Sequence, residues 1–319
     1  MGTRKEELQL ARTHFRKLDA EYLEEQKQAQ AAREIGLKRR LEDGRKWEEL
    51  LSASGIEPAK FREHEKADAQ RAAEIRNDVV KRLSPVPPAI LSSARDSILV
   101  NQNAGLVQAA PPGTQSFVLQ FVDRSTMGNC GSDAGDVVFP RAETVGSGSG
   151  WLDSHTDQAQ CGLWFAILWL DLPGGPSNRL SISVCPFLDM HGFYWVRSDD
   201  GIFTSKQAET KFSIFTRISQ FTLSNSFWSS WVVLDRNSDN IDEEGRIDFT
   251  GYATNAKGQA VILGGATVQI EVIAEAYCYS QGSGSHAIMD FQTGNGDGVR
   301  IPWVSAEVVD LGTVAATTL

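Results

Sequence analysis

Leu8, Ala11, Phe15, Leu18 and Tyr22 are separated by 3, 4, 3 and 4 positions, which is the a/d seam of an amphipathic helix. The seam then thins to Ala29 and Ala32, and Gly36 marks a weak point in the pattern. Leu37, Leu41, Trp47, Leu50 and Leu51 predict a second helical stretch, stopped at residues 52–55 with Gly55 near the C-terminal cap. Pro58 suits the first turn of a further helix, carried to about Leu83 by Phe61, Ala69, Ala72, Ile75 and Val79. These stripes hold few large apolar side chains, and a helix is marginal in water unless its apolar face is covered. The expectation is a helical hairpin or stalk that makes homo-oligomer contacts, with Leu8, Ala11, Phe15, Leu18 and Tyr22 at the interface. A helical arm packed on its own domain is the alternative.

Further along, the period changes from helical spacing to two. Val268, Ile270, Val272, Ala274, Ala276 and Cys278 alternate with Thr267, Gln269, Glu271, Ile273, Glu275 and Tyr277, which predicts a half-buried antiparallel strand over 267–279. Other candidate strands lie at 116–122, 136–139, 163–171, 180–185, 193–196, 211–223, 227–234, 246–252, 260–263, 287–291 and 299–309. Gly, Asn, Asp and Ser fill the gaps, as at 199–201, 255–258 and 294–298. Many short strands without helical patterns between them predict a β-sandwich or jelly roll. Between the two regions, residues 84–114 hold five of the 11 prolines. Proline ends the helix and stiffens the chain, so this stretch reads as an ordered connector. The fold expected is α+β with the two parts segregated: a helical segment at 1–83, a connector at 84–114 and a β-sandwich head at 115–319.

Composition sharpens that division. Residues 1–83 carry 19 basic and 17 acidic side chains, while the remainder carries 12 and 24. Only four of the 28 glycines and four of the 28 aromatic residues fall in the first part. The whole chain has 319 residues and a net charge of −10, which argues against a general nucleic-acid partner, because phosphate neutralisation needs a basic field. The longest apolar run, residues 163–170, is too short to span a bilayer, which takes roughly 20 residues. The N-terminus has no apolar signal region, and Glu6 stands where N-myristoylation wants Ser or Thr. The localisation expected is therefore cytoplasmic, or within an assembly released without classical secretion. Cys130, Cys161, Cys185 and Cys278 form no CxxC pair, and the expectation is reduced, buried thiols.

Candidate chemistry is sparse. No Gly-x-Ser-x-Gly occurs, and the glycine-serine run 146–150 lacks a phosphate-loop lysine and reads as a surface loop. His14 and His64 lie on charged helices, and His155, His191 and His286 are scattered along the β region. Asp189, His191 and Asp199 are the first suspects for an acid–base site. Asp235, Asn237 and Asp239, with Asp242 close behind, place hard oxygen ligands at spacings that suit calcium. The EF-hand pattern fails there, because Asn240 replaces the turn glycine and Arg246 the final glutamate, so a solvated acidic turn is the competing reading. No cofactor is otherwise expected. Seven of the eight tryptophans lie in the β region, where core packing competes with surface stacking on a glycan or protein ligand.

The reading that joins these features is a non-enzymatic structural or assembly protein: helices mediate contacts and a β-sandwich head presents a surface. A carbohydrate- or ligand-binding module, with or without calcium, is the alternative. A jelly-roll hydrolase or lyase is the third.

Overall fold

The computed structural model describes residues 3–55, 57–87, 89–92, 113–131, 135–146, 154–198, 206–220 and 226–313. Thr3 opens the first helix with a capping box: its hydroxyl accepts from the Glu6 amide, and the Glu6 carboxylate accepts from the Thr3 amide. Helix α1 (Arg4–Ala53) then runs unbroken through Gly36 and Gly44. The weak point expected at Gly36 does not divide it. Glycine costs an interior helix position only about 1 kcal/mol, too little to break a helix of 50 residues. The turn after α1 uses Gly55 at φ +79°, a conformation that L side chains rarely adopt. Helix α2 (Pro58–Leu83) follows with proline in its first turn.

The described strands are β1 (Thr114–Leu119), β2 (Asp123–Met127), β3 (Val137–Val138), β4 (Arg141–Val145), β5 (Ser154–Ile167), β6 (Asn178–Ser198), β7 (Gln207–Gln220), β8 (Phe227–Ser238), β9 (Ile241–Tyr252), β10 (Gly258–Leu263), β11 (Val268–Gln281), β12 (His286–Asp290) and β13 (Gly298–Thr313). They form two antiparallel sheets. One has five strands in the order β2-β5-β11-β7-β8. The other has eight, along the path β1-β13-β6-β12-β4, with β9 and β10 also on β6 and β3 on β13. Strand β6 joins two stretches that the sequence pattern separates, because it changes neighbours at Pro186. Before it, residues 179–184 pair with β10, and after it Phe187–Ser198 pairs with β9. Proline donates no ladder hydrogen bond, and here its carbonyl instead accepts from the Ala253 amide.

Alternation decides which side chains meet. Ile182, Val184, Leu188, Met190 and Val196 of β6 face Leu163, Phe165, Ile270, Val272, Phe212 and Ile214 of the five-stranded sheet, all buried in one core between the sheets. Sandwich and helices are segregated in sequence, as α+β requires, but the helices are not a free stalk. Ala11 and Phe15 of α1 are buried against Trp164, on the outer face of the five-stranded sheet. Val79 of α2, with Ile75, Val80 and Leu83, packs on Phe193, Trp195 and Ile288, on the outer face of the other sheet. The hairpin thus straddles the sandwich.

This corrects the expectation that the seam needs a second chain. Its own sandwich covers Ala11 and Phe15, and Leu8 is half-buried. The side chains of Leu18 and Tyr22 lie outside the described residues. The physical reason is that both sheets carry tryptophan on their outward faces, so the cover that the helices lack is available within the chain. The cysteine expectation is corrected as well: Cys130 and Cys161 form a disulfide across 31 residues, with Cα atoms 5.7 Å apart, while Cys185 and Cys278 remain free.

Candidate functional site

The α1 seat is built from one register row. Asp123, Trp164, Glu271, Arg217 and Trp228 are directly opposite one another across all five strands of the smaller sheet. Phe15 stacks on Trp164 with ring centroids 4.3 Å apart and planes 27° apart. The Arg217 guanidinium lies 4.9 Å from the Trp164 ring and 5.1 Å from the Trp228 ring, a cation held between two indoles. It also pairs with Glu271 at 2.6 Å, and the Ser125 hydroxyl donates to the same carboxylate at 2.6 Å. Burial pushes the Glu271 carboxyl up, against the pull of Arg217 and Ser125. Gly162 makes the room: a Cβ there would stand 2.4 Å from Ser125 Oγ. Trp228 at the end of the row is 54% exposed, and the Trp164 Nε1 atom is buried with no hydrogen-bond partner among the described residues.

The α2 seat is electrostatic as well as apolar. Arg76 donates to both oxygens of Glu143, at 2.8 and 2.9 Å, a bidentate pair. Glu143 also accepts from Arg141 at 2.6 Å and faces His286 Nε2 at 3.1 Å. Burial alone would raise the Glu143 carboxyl, but hydrogen bonds from His286 and Arg76 overcome it and hold the group at about 2. The His286 ring lies tilted against Trp195 with centroids 4.9 Å apart, linking this node to the apolar seat. Nearby, Arg82 pairs with Glu244, Arg246 donates to the Leu83 carbonyl, and Lys206 meets Asp68 at 3.4 Å.

Of the acid–base suspects, Asp189 and His191 do come together, and Asp199 lies outside the described residues. His191 Nε2 is 3.1 Å from Asp189, and its Nδ1 is 2.9 Å from Asp248, which sequence reasoning missed. Register explains the trio: Asp189 and His191 share the outer face of β6, and Asp248 pairs with His191 from β9. Burial would lower the imidazole, but the two carboxylates overcome it and raise it to about 9. Both ring nitrogens are engaged, so the group is a fixed imidazolium and neither nitrogen is open to take a proton from a substrate. Thr250 donates to Asp189 at 2.8 Å, and Arg246 to Asp248 at 3.2 Å.

The four residues expected to hold calcium are not brought together. Asp235 and Asn237 sit on β8, Asp239 in the two-residue turn that follows, and Asp242 on β9 in the other sheet. The turn carries the chain from one sheet to the other, so the oxygens diverge. Asp235 lies 3.9 Å from Lys211, and Asp242 accepts from Trp195 Nε1 at 3.2 Å and Arg197 at 3.4 Å. Among the described residues no group of three or more His, Cys, Asp or Glu side chains is arranged so that it could hold a metal ion. Most of the run 146–150, together with Trp151, lies outside the described residues.

No protein-family model matches the chain, and no curated protein matches it. Among solved structures, it is similar to a carbohydrate-binding module of the β-sandwich superfamily at 9% identity and a TM-score of 0.17, over 61% of this chain and 58% of that one. It is similar to a family 11 carbohydrate-binding module from Clostridium thermocellum, in complex with a mixed-linked tetrasaccharide, at 8% identity and 0.13, over 65% and 92%. It is also similar to the enzymatically active domain of bacteriophage CBA120 tailspike protein 4, at 9% and 0.16, over 64% and 20%. At these scores the likenesses bear on no function. The chain spans little more than half the length of the first of these structures.

Proposed function

We propose that this chain is a non-enzymatic structural or assembly protein, a β-sandwich body clipped by a helical hairpin whose turn stands beyond the sandwich and makes the contacts. The supporting observation is one of length. Glu7 of α1 accepts from Thr267, just before β11, and Phe15 lies on Trp164, opposite Glu271 of β11. Helix α1 therefore advances along β11 toward Gln281. The 14 residues of β11 span about 46 Å, whereas the 50 residues of α1 span about 75 Å. On the other side, among the described residues, α2 meets the same end of the sandwich from Glu65 onward, where Ser283 donates to the Glu65 carbonyl. Residues 58–64 and the end of α1 thus project past the sheets. Among the described residues, the projecting tip holds itself together through a 2.6 Å pair between Arg62 and Glu48 and a buried Leu51, and presents Leu50 at 57% exposure.

Light scattering of the full chain across micromolar concentrations tests this. The expected result is a mass above that of the 35.0 kDa chain that falls to monomer on Leu50→Glu while the circular dichroism spectrum is unchanged. A monomer at every concentration would overturn the reading. A glycan-binding role has one observation in its favour, the exposed Trp228 ring pre-oriented by Arg217. Loss of retardation in glycan-containing gels on Trp228→Ala would support that role instead.

A further inference from the structure

We infer that strand β8 is a self-association edge, where two copies of this chain pair antiparallel about Ser230 and run their five-stranded sheets into one. The inference rests on the assembly reading and adds a second contact to the tip. Strand β8 closes the order β2-β5-β11-β7-β8, and among the described residues its ladder is to β7 alone. An edge strand turns unpaired amides and carbonyls outward, and proteins blunt such edges with charge, proline, brevity or a cover. Two other strands of this sandwich show those devices. Strand β2, at the far end of the same sheet, has five residues, and α1 lies beside it, with Arg12 donating to the Val122 carbonyl and Arg16 4.0 Å from Asp123. Strand β9, which takes the chain from β8 into the other sheet, carries Asp242, Glu243, Glu244, Arg246 and Asp248. Residues 227–234 of β8 carry no charge, proline or glycine. Apart from Ser229, Ser230 and Leu234 they are aromatic or β-branched, a composition that suits a strand. Phe227, Trp228 and Val232 are 36%, 54% and 47% exposed, whereas Trp231 and Leu234 pack on the core.

The pattern along β8 names both the occupant and the register. Pairing with β7 sets Trp228 opposite Arg217, Ser230 opposite Phe215 and Val232 opposite Ser213, so these three share the outer face. Directly opposed residues of an antiparallel pair lie on one face of the sheet. Two β8 strands related by a two-fold axis at Ser230 therefore put each Trp228 against the partner's Val232, with one such pair on either side of the axis. A two-fold contact needs a surface that complements itself, and this edge does so, with a small polar residue at the middle and large apolar ones flanking it. Moving the axis toward the C-terminus draws in the register shift opposite Phe212 and Ser213 and the carboxylate of Asp235. Moving it the other way shortens the ladder, because β8 begins at Phe227. The ladder over 227–233 is well short of the roughly 20–30 residues a side of a standard interface, so alone it holds copies weakly. Copies already joined at the tip meet at an effective concentration on the order of millimolar, where a weak contact forms.

Sedimentation equilibrium of the Leu50→Glu chain at about 1 mM reads this edge without the tip. The expected result is a mass rising from 35.0 kDa toward twice that value, from a chain expected to be monomeric at micromolar concentration. Ser230→Lys sets two like charges directly opposite each other at the axis and is expected to weaken the dimer roughly tenfold or more. Ser230→Thr, a strand former that hydrogen-bonds to its own kind across a pair, should keep or tighten it. Ser230 is exposed, so both variants leave the core alone, and an unchanged circular dichroism spectrum checks that. Cysteine pairing at the same concentration reads the register. Opposed positions have Cα atoms about 4.5–5.5 Å apart, within disulfide reach. Ser230→Cys should give a covalent dimer on oxidation, and Asn237→Cys, also exposed on β8, should not. A Leu50→Glu chain that stays monomeric at this concentration would overturn the proposal. So would a dimer indifferent to Ser230→Lys, or equal cross-linking at the two positions. Such a failure with tip-mediated assembly intact removes this inference alone, whereas a native chain that is monomeric throughout removes the assembly reading.

Discussion

Reducing the Cys130–Cys161 disulfide should cost this protein a large part of its stability. The bond closes a loop of 31 residues that runs from the segment before β3 through β4 to the middle of β5. In the chain-entropy treatment, closing such a loop removes about 12 cal/mol/K from the unfolded chain, or about 3.7 kcal/mol at 25 °C, a factor of roughly 500 in the folding equilibrium. Both cysteines lie within the main core cluster, so reduction also leaves two thiols to be packed where one covalent bond sat. Urea unfolding followed by tryptophan fluorescence, with and without a thiol reductant, measures the difference. Thiol titration in denaturant measures the premise: two thiols, from Cys185 and Cys278, are expected before reduction and four after it. Four thiols without reductant, or a stability change under about 1 kcal/mol, would refute the reasoning.

Three further outcomes follow from the charge and glycine positions. The His191 imidazole sits at about 9 in the folded chain against 6.5 unfolded, so its stabilisation is complete below pH 6.5 and is lost as pH rises through 9. Thermal melts should fall across that interval, by up to about 3 kcal/mol, and His191→Gln should flatten the fall. Glu143 is depressed to about 2 from 4.5, so its contribution is present above pH 4.5 and is lost as pH drops toward 2. Melts in acid should show this loss, and Glu143→Gln should remove it while weakening protection of the α2 amides. Gly294 approaches the connector so closely that a Cβ there would lie 1.8 Å from the Ser84 carbonyl oxygen. Gly294→Ala should cost about 1–3 kcal/mol in chemical denaturation, an overpacking penalty, whereas Gly135→Ala, whose Cβ meets nothing within 4 Å, should cost less through its φ alone.

Much of the architecture is legible in the sequence because it depends on local period. The helical spacing of residues 8–22, the proline at 58 and the strict alternation at 267–279 each predict an element that the structure contains. The division between charged helices and a glycine- and aromatic-rich β region is equally visible, since composition records which segments can bury a sheet. The sites are less legible. Asp189 and His191 stand two apart, but Asp248 joins them only through the register of β9 on β6, and register is a long-range property. The row from Asp123 to Trp228 spans five strands drawn from more than 100 residues of sequence, and no local pattern announces it. The residues offered for calcium are not gathered for the same reason, because ligand spacing along the chain says nothing of a turn that sends the flanking strands into different sheets.

By itself the sequence determined that the first 83 residues are helices with a thin apolar stripe and that the rest is a sheet protein. Period and composition act within a few residues and require no knowledge of what lies opposite. Only the tertiary structure decided where those stripes are buried. Each helix found a tryptophan on the outward face of a sheet, Trp164 for α1 and Trp195 for α2, and an apolar side chain takes any cover that removes it from water, whichever chain supplies it.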